Sequence, residues 1–174
     1  MRFQKSIITI FIAAAVSGIS APAFAEWNFI PSKSSFGDTT FQLIGVSSPS
    51  QTAGRTGFLF QCKKDKKTFG MYALFTQQIS ESEYSKILLG EPQLLFRVDQ
   101  HEVIKMKVYP DRSNEVRFML AENDDLYKVI AALQSAKNQI AVAVSINDSV
   151  RYESNFDRIG LDNSVTKFGA ECIK

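Results

Sequence analysis

The sequence predicts an α+β domain, mostly antiparallel β, built as a sandwich-like sheet with three short helices and one disulfide. Three observations predict it. Period-two alternation of apolar and polar residues fills most of the chain after residue 38, which is the signature of half-buried strands. Three stretches switch instead to the three-to-four-residue spacing of a helix with one buried face. Two cysteines stand far apart, each on an apolar face of its own element.

The chain begins with Arg2 and Lys5, then the apolar run Ile7 to Val16, broken only by Thr9, then Gly18, Pro22 and Ala23-Phe24-Ala25. A charged start, an apolar middle and small residues before a cut describe a secretory leader, so residues 1–25 are expected to be a cleavable signal peptide. A membrane anchor needs about 20 apolar residues, and this run is shorter. Removing 25 residues from 174 leaves 149, a single exported domain over 26–174. Its 18 basic residues balance 18 acidic ones once Arg2 and Lys5 are gone. A neutral domain has no global field to gather nucleic acid or anionic lipid, so neither is expected as a partner, and no membrane insertion is expected after leader removal.

In chain order, Thr39, Phe41, Leu43 and Gly45 form the first alternating face, followed by a loop rich in Ser, Thr, Gly and Pro over Ser47 to Gly57. Phe58, Phe60 and Cys62 share the next face. Lys63-Lys64-Asp65-Lys66-Lys67 reads as a charged hairpin turn, and Phe69, Met71, Ala73 and Phe75 return. Ser80-Glu81-Ser82-Glu83 is a capping box. It predicts a helix with Tyr84, Ile87 and Leu88 on one stripe, stopped by Gly90 and Pro92. Leu94, Phe96 and Val98, then Ile104, Met106 and Val108, then Val116, Phe118 and Leu120 give three more strands. A second helix is expected from Asp124 to Ala136, with Leu126, Val129, Ile130 and Leu133 inward and Asp124-Asp125 at its positive end. Ile140, Val142, Val144 and Ile146 precede an Asn147-Asp148-Ser149 turn, and Val150, Tyr152, Ser154 and Phe156 follow it. A third helix runs from Leu161 to Cys172, with Leu161, Val165, Phe168 and Cys172 on its apolar side. Alternation with one wet face favours antiparallel pairing.

Cys62 and Cys172 are the only cysteines. An isolated pair in an oxidising compartment is expected to bridge. Closing a loop of that size is worth about 4.7 kcal/mol at most in the chain-entropy treatment. A redox role would favour a close Cys-x-x-Cys spacing, which is absent.

His101, within Asp99-Gln100-His101-Glu102, is the only histidine. A zinc centre needs three or four converging ligands, so a polar turn is the expected reading. No Gly-x-Ser-x-Gly elbow accompanies the many serines, and Asp124-Asp125 is accounted for as helix-terminal charge. No glycine-rich phosphate loop occurs. The lysines from Lys63 to Lys67 suit a solvated turn that discourages edge-to-edge pairing. No catalytic, cofactor-binding or metal residue is therefore assigned, and no cofactor is expected.

Several features resemble the accessory periplasmic proteins of the bacterial type VI secretion system, the TagO or VasI family. Trp27 is followed by Ser34-Ser35-Phe36-Gly37-Asp38-Thr39-Thr40, and Phe60-Gln61-Cys62 ends a strand. Phe96-Arg97-Val98-Asp99 is similar to that family's Arg-x-Asp strand. An apolar helix and strand then precede Phe156, Gly160 and a terminal helix with Cys172. The chain departs from the pattern at Gln61, where arginine is expected, and in lacking a central Trp-x-x-Ser. The resemblance implies a periplasmic, non-enzymatic protein that binds another macromolecule as a secretion accessory factor, its partner an envelope or secretion-system protein. The alternatives are a small-molecule or glycan binder and a hydrolase of envelope material; extracellular release is the alternative location.

Overall fold

The computed structural model describes residues 26–173 other than 36, 65, 77–78, 113–115 and 121–122. The leader expected at residues 1–25, Phe36 of the family-like motif, Asp65 of the lysine turn and the C-terminal Lys174 lie outside the described residues. So do the side chains of Lys66, Lys67, Phe69, Val116, Leu120, Asp124 and Asp125.

Among the described residues nine strands form one sheet: β1 (Glu26–Lys33), β2 (Thr39–Val46), β3 (Thr56–Lys63), β4 (Lys66–Phe75), β5 (Gln93–Val98), β6 (Ile104–Arg112), β7 (Val116–Leu120), β8 (Ile140–Ile146) and β9 (Ser149–Phe156). Their spatial order is β1-β2-β3-β4-β7-β6-β5-β8-β9, and every pairing is antiparallel. Three helices among the described residues, α1 (Glu81–Leu89), α2 (Asn123–Ser135) and α3 (Leu161–Cys172), complete the α+β fold.

The sheet rolls until its two halves face each other. Phe58 of β3 stacks on Phe96 of β5 at 5.6 Å and meets Phe156 of β9 at 6.3 Å. Phe75 of β4 lies 5.6 Å from Tyr152 of β9. These strands are not neighbours in the sheet, so the contacts report curvature, and the sandwich-like layers are halves of one twisted sheet. Helices fill the concave side. Leu126, Val129, Ile130 and Leu133 of α2, and Leu161, Val165 and Phe168 of α3, join the strand residues in one buried core.

Two devices hold the roll closed. The first is Trp27. Its indole N–H donates to the Asp157 carbonyl at 2.9 Å, its backbone N–H donates to Ile159 O at 2.8 Å, and its carbonyl accepts from Ser164 Oγ at 3.1 Å. The ring lies flat on Gly45, its cross-strand partner, and a Cβ there would sit 2.7 Å from the indole. Gly160, at φ +76°, starts α3 where any Cβ would strike the Trp27 carbonyl. The second device is the loop between β2 and β3. Ser50 Oγ donates to Glu153 O at 2.7 Å, Glu153 N donates to Thr52 Oγ1 at 3.3 Å, and the Thr56 and Ser154 hydroxyls bond each other. The loop thus covers the open edge of β9, where unpaired backbone would invite aggregation.

Cys62 and Cys172 are bonded, with Cα atoms 6.0 Å apart, inside the usual disulfide range of about 4.4–6.8 Å. The bridge ties α3 to β3, and Phe168 packs 6.2 Å from Phe60 beside it.

Some details differ from the expectations. The sequence pattern does not predict β1: Asn28, Pro31 and Ser32 interrupt its apolar alternation. As an edge strand it tolerates Pro31, which has no N–H to offer a further strand. β6 runs on through Pro110, because β5 pairs only with its first half and β7 with its second. The proline falls where β5 has already ended. In α1, Ser80 caps the Glu83 N–H at 3.3 Å as expected. Glu83's carboxylate, however, accepts from Tyr152 OH at 3.4 Å, and Leu88 is 54% exposed, off the buried stripe that holds Ile87.

Candidate functional site on the outer sheet face

Alternation sends every second strand residue outward, and the described helices all pack on the inner side. The outer face therefore carries no second layer among the described residues. Its register is fixed by the ladders. Asn28, Ile44, Leu59 and Tyr72 stand in one line across β1 to β4. The line continues through β7 to Tyr109 of β6. The next line runs through Val46, Gly57 and Leu74. Ile44, Val46, Leu59, Tyr72 and Leu74 are half-buried and Tyr109 is 52% exposed. The Tyr72 ring leans over Gly70, where an added Cβ would lie 3.3 Å from it. With strands about 4.8 Å apart, Ile44 to Tyr109 covers roughly 19 Å, because five strands lie side by side. This is an apolar strip on a face where a solvated sheet ordinarily turns polar residues outward.

Past β6 the outer face changes character. Central strand β8 turns out only Ala141, Ala143 and Ser145. Longer residues rise on both sides: Leu95 and Arg97 on β5, Val150 and Glu153 on β9. Together with Val103 they line a shallow trough of about 170 Å³. Ordinary ligand pockets hold about 300–1,000 Å³. Lys105 and Lys107 of β6 stand exposed next to Leu95 and Gln93.

His101 lies exposed in the β5–β6 turn, its backbone N–H bonded to Val98 O at 3.0 Å, and is not among the residues lining the trough. Among the described residues no three His, Cys, Asp or Glu side chains gather to hold a metal. Asp99 is occupied elsewhere. Its carboxylate accepts from the backbone N–H groups of Lys137, Asn138 and Gln139 at 2.8, 2.7 and 2.9 Å. Those bonds, Gln139's first and Lys137's next, hold its pKa below the usual aspartate value. Arg158 steadies the same turn from the other side, donating to Lys137 O and, in a fork, to Asp162. Asp99 is thus a structural clamp for the α2–β8 turn, and Arg97, two residues earlier, faces the trough.

Comparison with family models, curated proteins and solved structures finds no match. The site rests on its own geometry. The residues that compose it were visible in the sequence as apolar side chains at both alternating positions of β2, β3 and β4, a pattern that ordinarily marks strands covered on two faces.

Of the lysine turn, Lys63 and Lys64 are exposed, and Lys63 Nζ pairs with Asp38 at 3.8 Å. Exposed pairs of this kind are worth little.

Proposed function

We propose that this chain is a non-enzymatic binding protein of the bacterial envelope, docking another macromolecule on the outer face of its rolled sheet. The observation that carries the reading is the strip of Ile44, Leu59, Tyr72 and Tyr109 with Val46 and Leu74 beside it. Apolar surface that no described element covers marks interaction sites, and tyrosine is favoured at such surfaces because it buries a large ring and keeps a polar tip. The rolled core, fastened by a disulfide, makes a rigid platform, so little ordering entropy is lost on docking. The disulfide also supports an oxidising setting, in keeping with export by a leader over residues 1–25. The resemblance to type VI secretion accessory proteins suggests a secretion-system protein as partner. The trough offers a small-molecule or glycan ligand a volume below that of ordinary ligand pockets.

The test is co-purification from the envelope with the native chain and with Leu59→Glu and Tyr72→Glu. Both positions face outward, so circular dichroism should be unchanged while the partner is lost. Retention of the same partner by both folded variants would refute the reading.

A further inference from the structure

We propose that the trough on β5, β8 and β9 receives an extended acidic segment of the partner protein. Its carboxylates would sit on Arg97, Lys105 and Lys107, and its apolar side chains over Ala141 and Ala143. This rests on the preceding reading of the outer face and names the occupant of one part of it.

Shape argues for an extended chain. The floor is a single line of small residues along β8, spaced two apart. Two residues of strand advance about 6.6–6.8 Å. A peptide lying along β8 in extended form presents every second side chain at the same repeat, so its downward residues match the floor. The walls formed by Leu95 and Arg97 on one side and Val150 and Glu153 on the other confine it laterally. A flat bilayer surface has no such match.

Charge argues for acidity. Arg97, Lys105 and Lys107 are exposed and lie on adjacent strands, with Lys105 paired to Leu95 and Lys107 to Gln93. Among the described residues none of the three has a carboxylate within 4.0 Å. Among the described residues the acids nearby include Glu153 on the opposite wall, Glu102 in the β5–β6 turn and Glu91, which precedes β5 at the Lys107 end. Glu153 therefore repels anionic groups toward the β5–β6 side, which fixes how the segment sits. Exposed charges at such distances are screened by salt, so binding weakens as ionic strength rises.

The test is selection of a random-peptide display library on the immobilised purified protein, native and Arg97→Gln/Lys105→Gln. Enriched peptides should combine Asp or Glu with small apolar residues. The double variant should bind them roughly tenfold more weakly, the equivalent of about 1.4 kcal/mol. Enrichment of neutral or basic peptides, no enrichment, or equal binding by the double variant would overturn the proposal. Sedimentation with phosphatidylglycerol vesicles that depends on Arg97, without acidic-peptide binding, would overturn it in favour of a membrane surface. If envelope co-purification is lost in Tyr72→Glu but untouched by Arg97→Gln/Lys105→Gln, the docking face stands and the acidic occupant falls.

Discussion

Replacing Phe168 by alanine removes the largest apolar side chain of α3. The phenylalanine is fully buried, packs against Phe60 and shares its helix face with buried Leu161 and Val165. Transfer of a buried phenylalanine from water is worth about 1.5–3 kcal/mol. The cavity left by truncation raises the cost to about 3–5 kcal/mol. The disulfide and Trp27's bonds hold both ends of α3 in place, so the helix cannot readily collapse into the void, and the upper half of that range is expected. For a domain of this size each kcal/mol moves the melting temperature about 2–4 °C, so Phe168→Ala should melt about 8–20 °C lower by circular dichroism in non-reducing buffer. Asn163→Ala and Lys167→Ala, on the exposed side of the same helix, should stay within about 0.5 kcal/mol of the native protein. An unchanged melting temperature in Phe168→Ala, with partner binding lost, would mean that α3 is a docking surface and not the clamp inferred from its burial.

The protein purified without reductant should weigh two hydrogens less than its dithiol form, and reduction should destabilise it by up to about 4.7 kcal/mol; two free thiols would contradict the bridge. Asp99→Asn should lower the melting temperature by weakening the α2–β8 turn, whereas His101→Ala should not, as differential scanning calorimetry can check. Because the fold depresses the Asp99 pKa, its carboxylate stabilises the protein above the unfolded value near 3.9 and loses that contribution as pH falls through the lower folded value. Asp99→Asn should flatten this acid limb, and an identical acid limb in both proteins would refute the clamp. Tyr152, pushed up to about 12 chiefly by burial and then by the Glu83 charge, should be missing from the tyrosinate absorbance that grows near pH 10. Its raised value means that stability falls as pH climbs from about 10 toward 12; a Tyr152→Phe variant with the same alkaline loss would contradict this.

Most of the scaffold was legible because local pattern and tertiary burial agree. The alternation at Phe58-Phe60-Cys62 and the four-three-four spacing of α3 each name the core side, and together they aim both cysteines at one another. The Ser80 cap on the Glu83 N–H and the turn whose Asn147 and Asp148 both sit at positive φ are short-range chemistry that few tertiary contexts override. What escaped was non-local. β1 exists as a strand because Trp27 finds Gly45, Asp157, Ile159 and Ser164, and no spacing within Glu26–Lys33 announces those partners. The β2–β3 loop was recognised from its Ser, Thr and Gly content, but its role in covering β9 depends on a sheet that rolls. The outer face was the least legible part. Ile44, Leu59 and Tyr72 look like core residues in a line of sequence, and only the register of the rolled sheet turns them to the face that no described element covers.

Site-specific photocrosslinking in intact cells tests the docking face most directly. A photoreactive phenylalanine derivative replaces Tyr72 at the middle of the apolar strip, or Asn163 on the solvent side of α3. Irradiation should give one discrete adduct to a single envelope partner from position 72 and none from position 163, with the position-72 adduct lost when Leu59→Glu is added. Adducts of equal yield from both positions, or none from position 72 while position 163 crosslinks, would contradict the assignment of the outer sheet face as the binding surface.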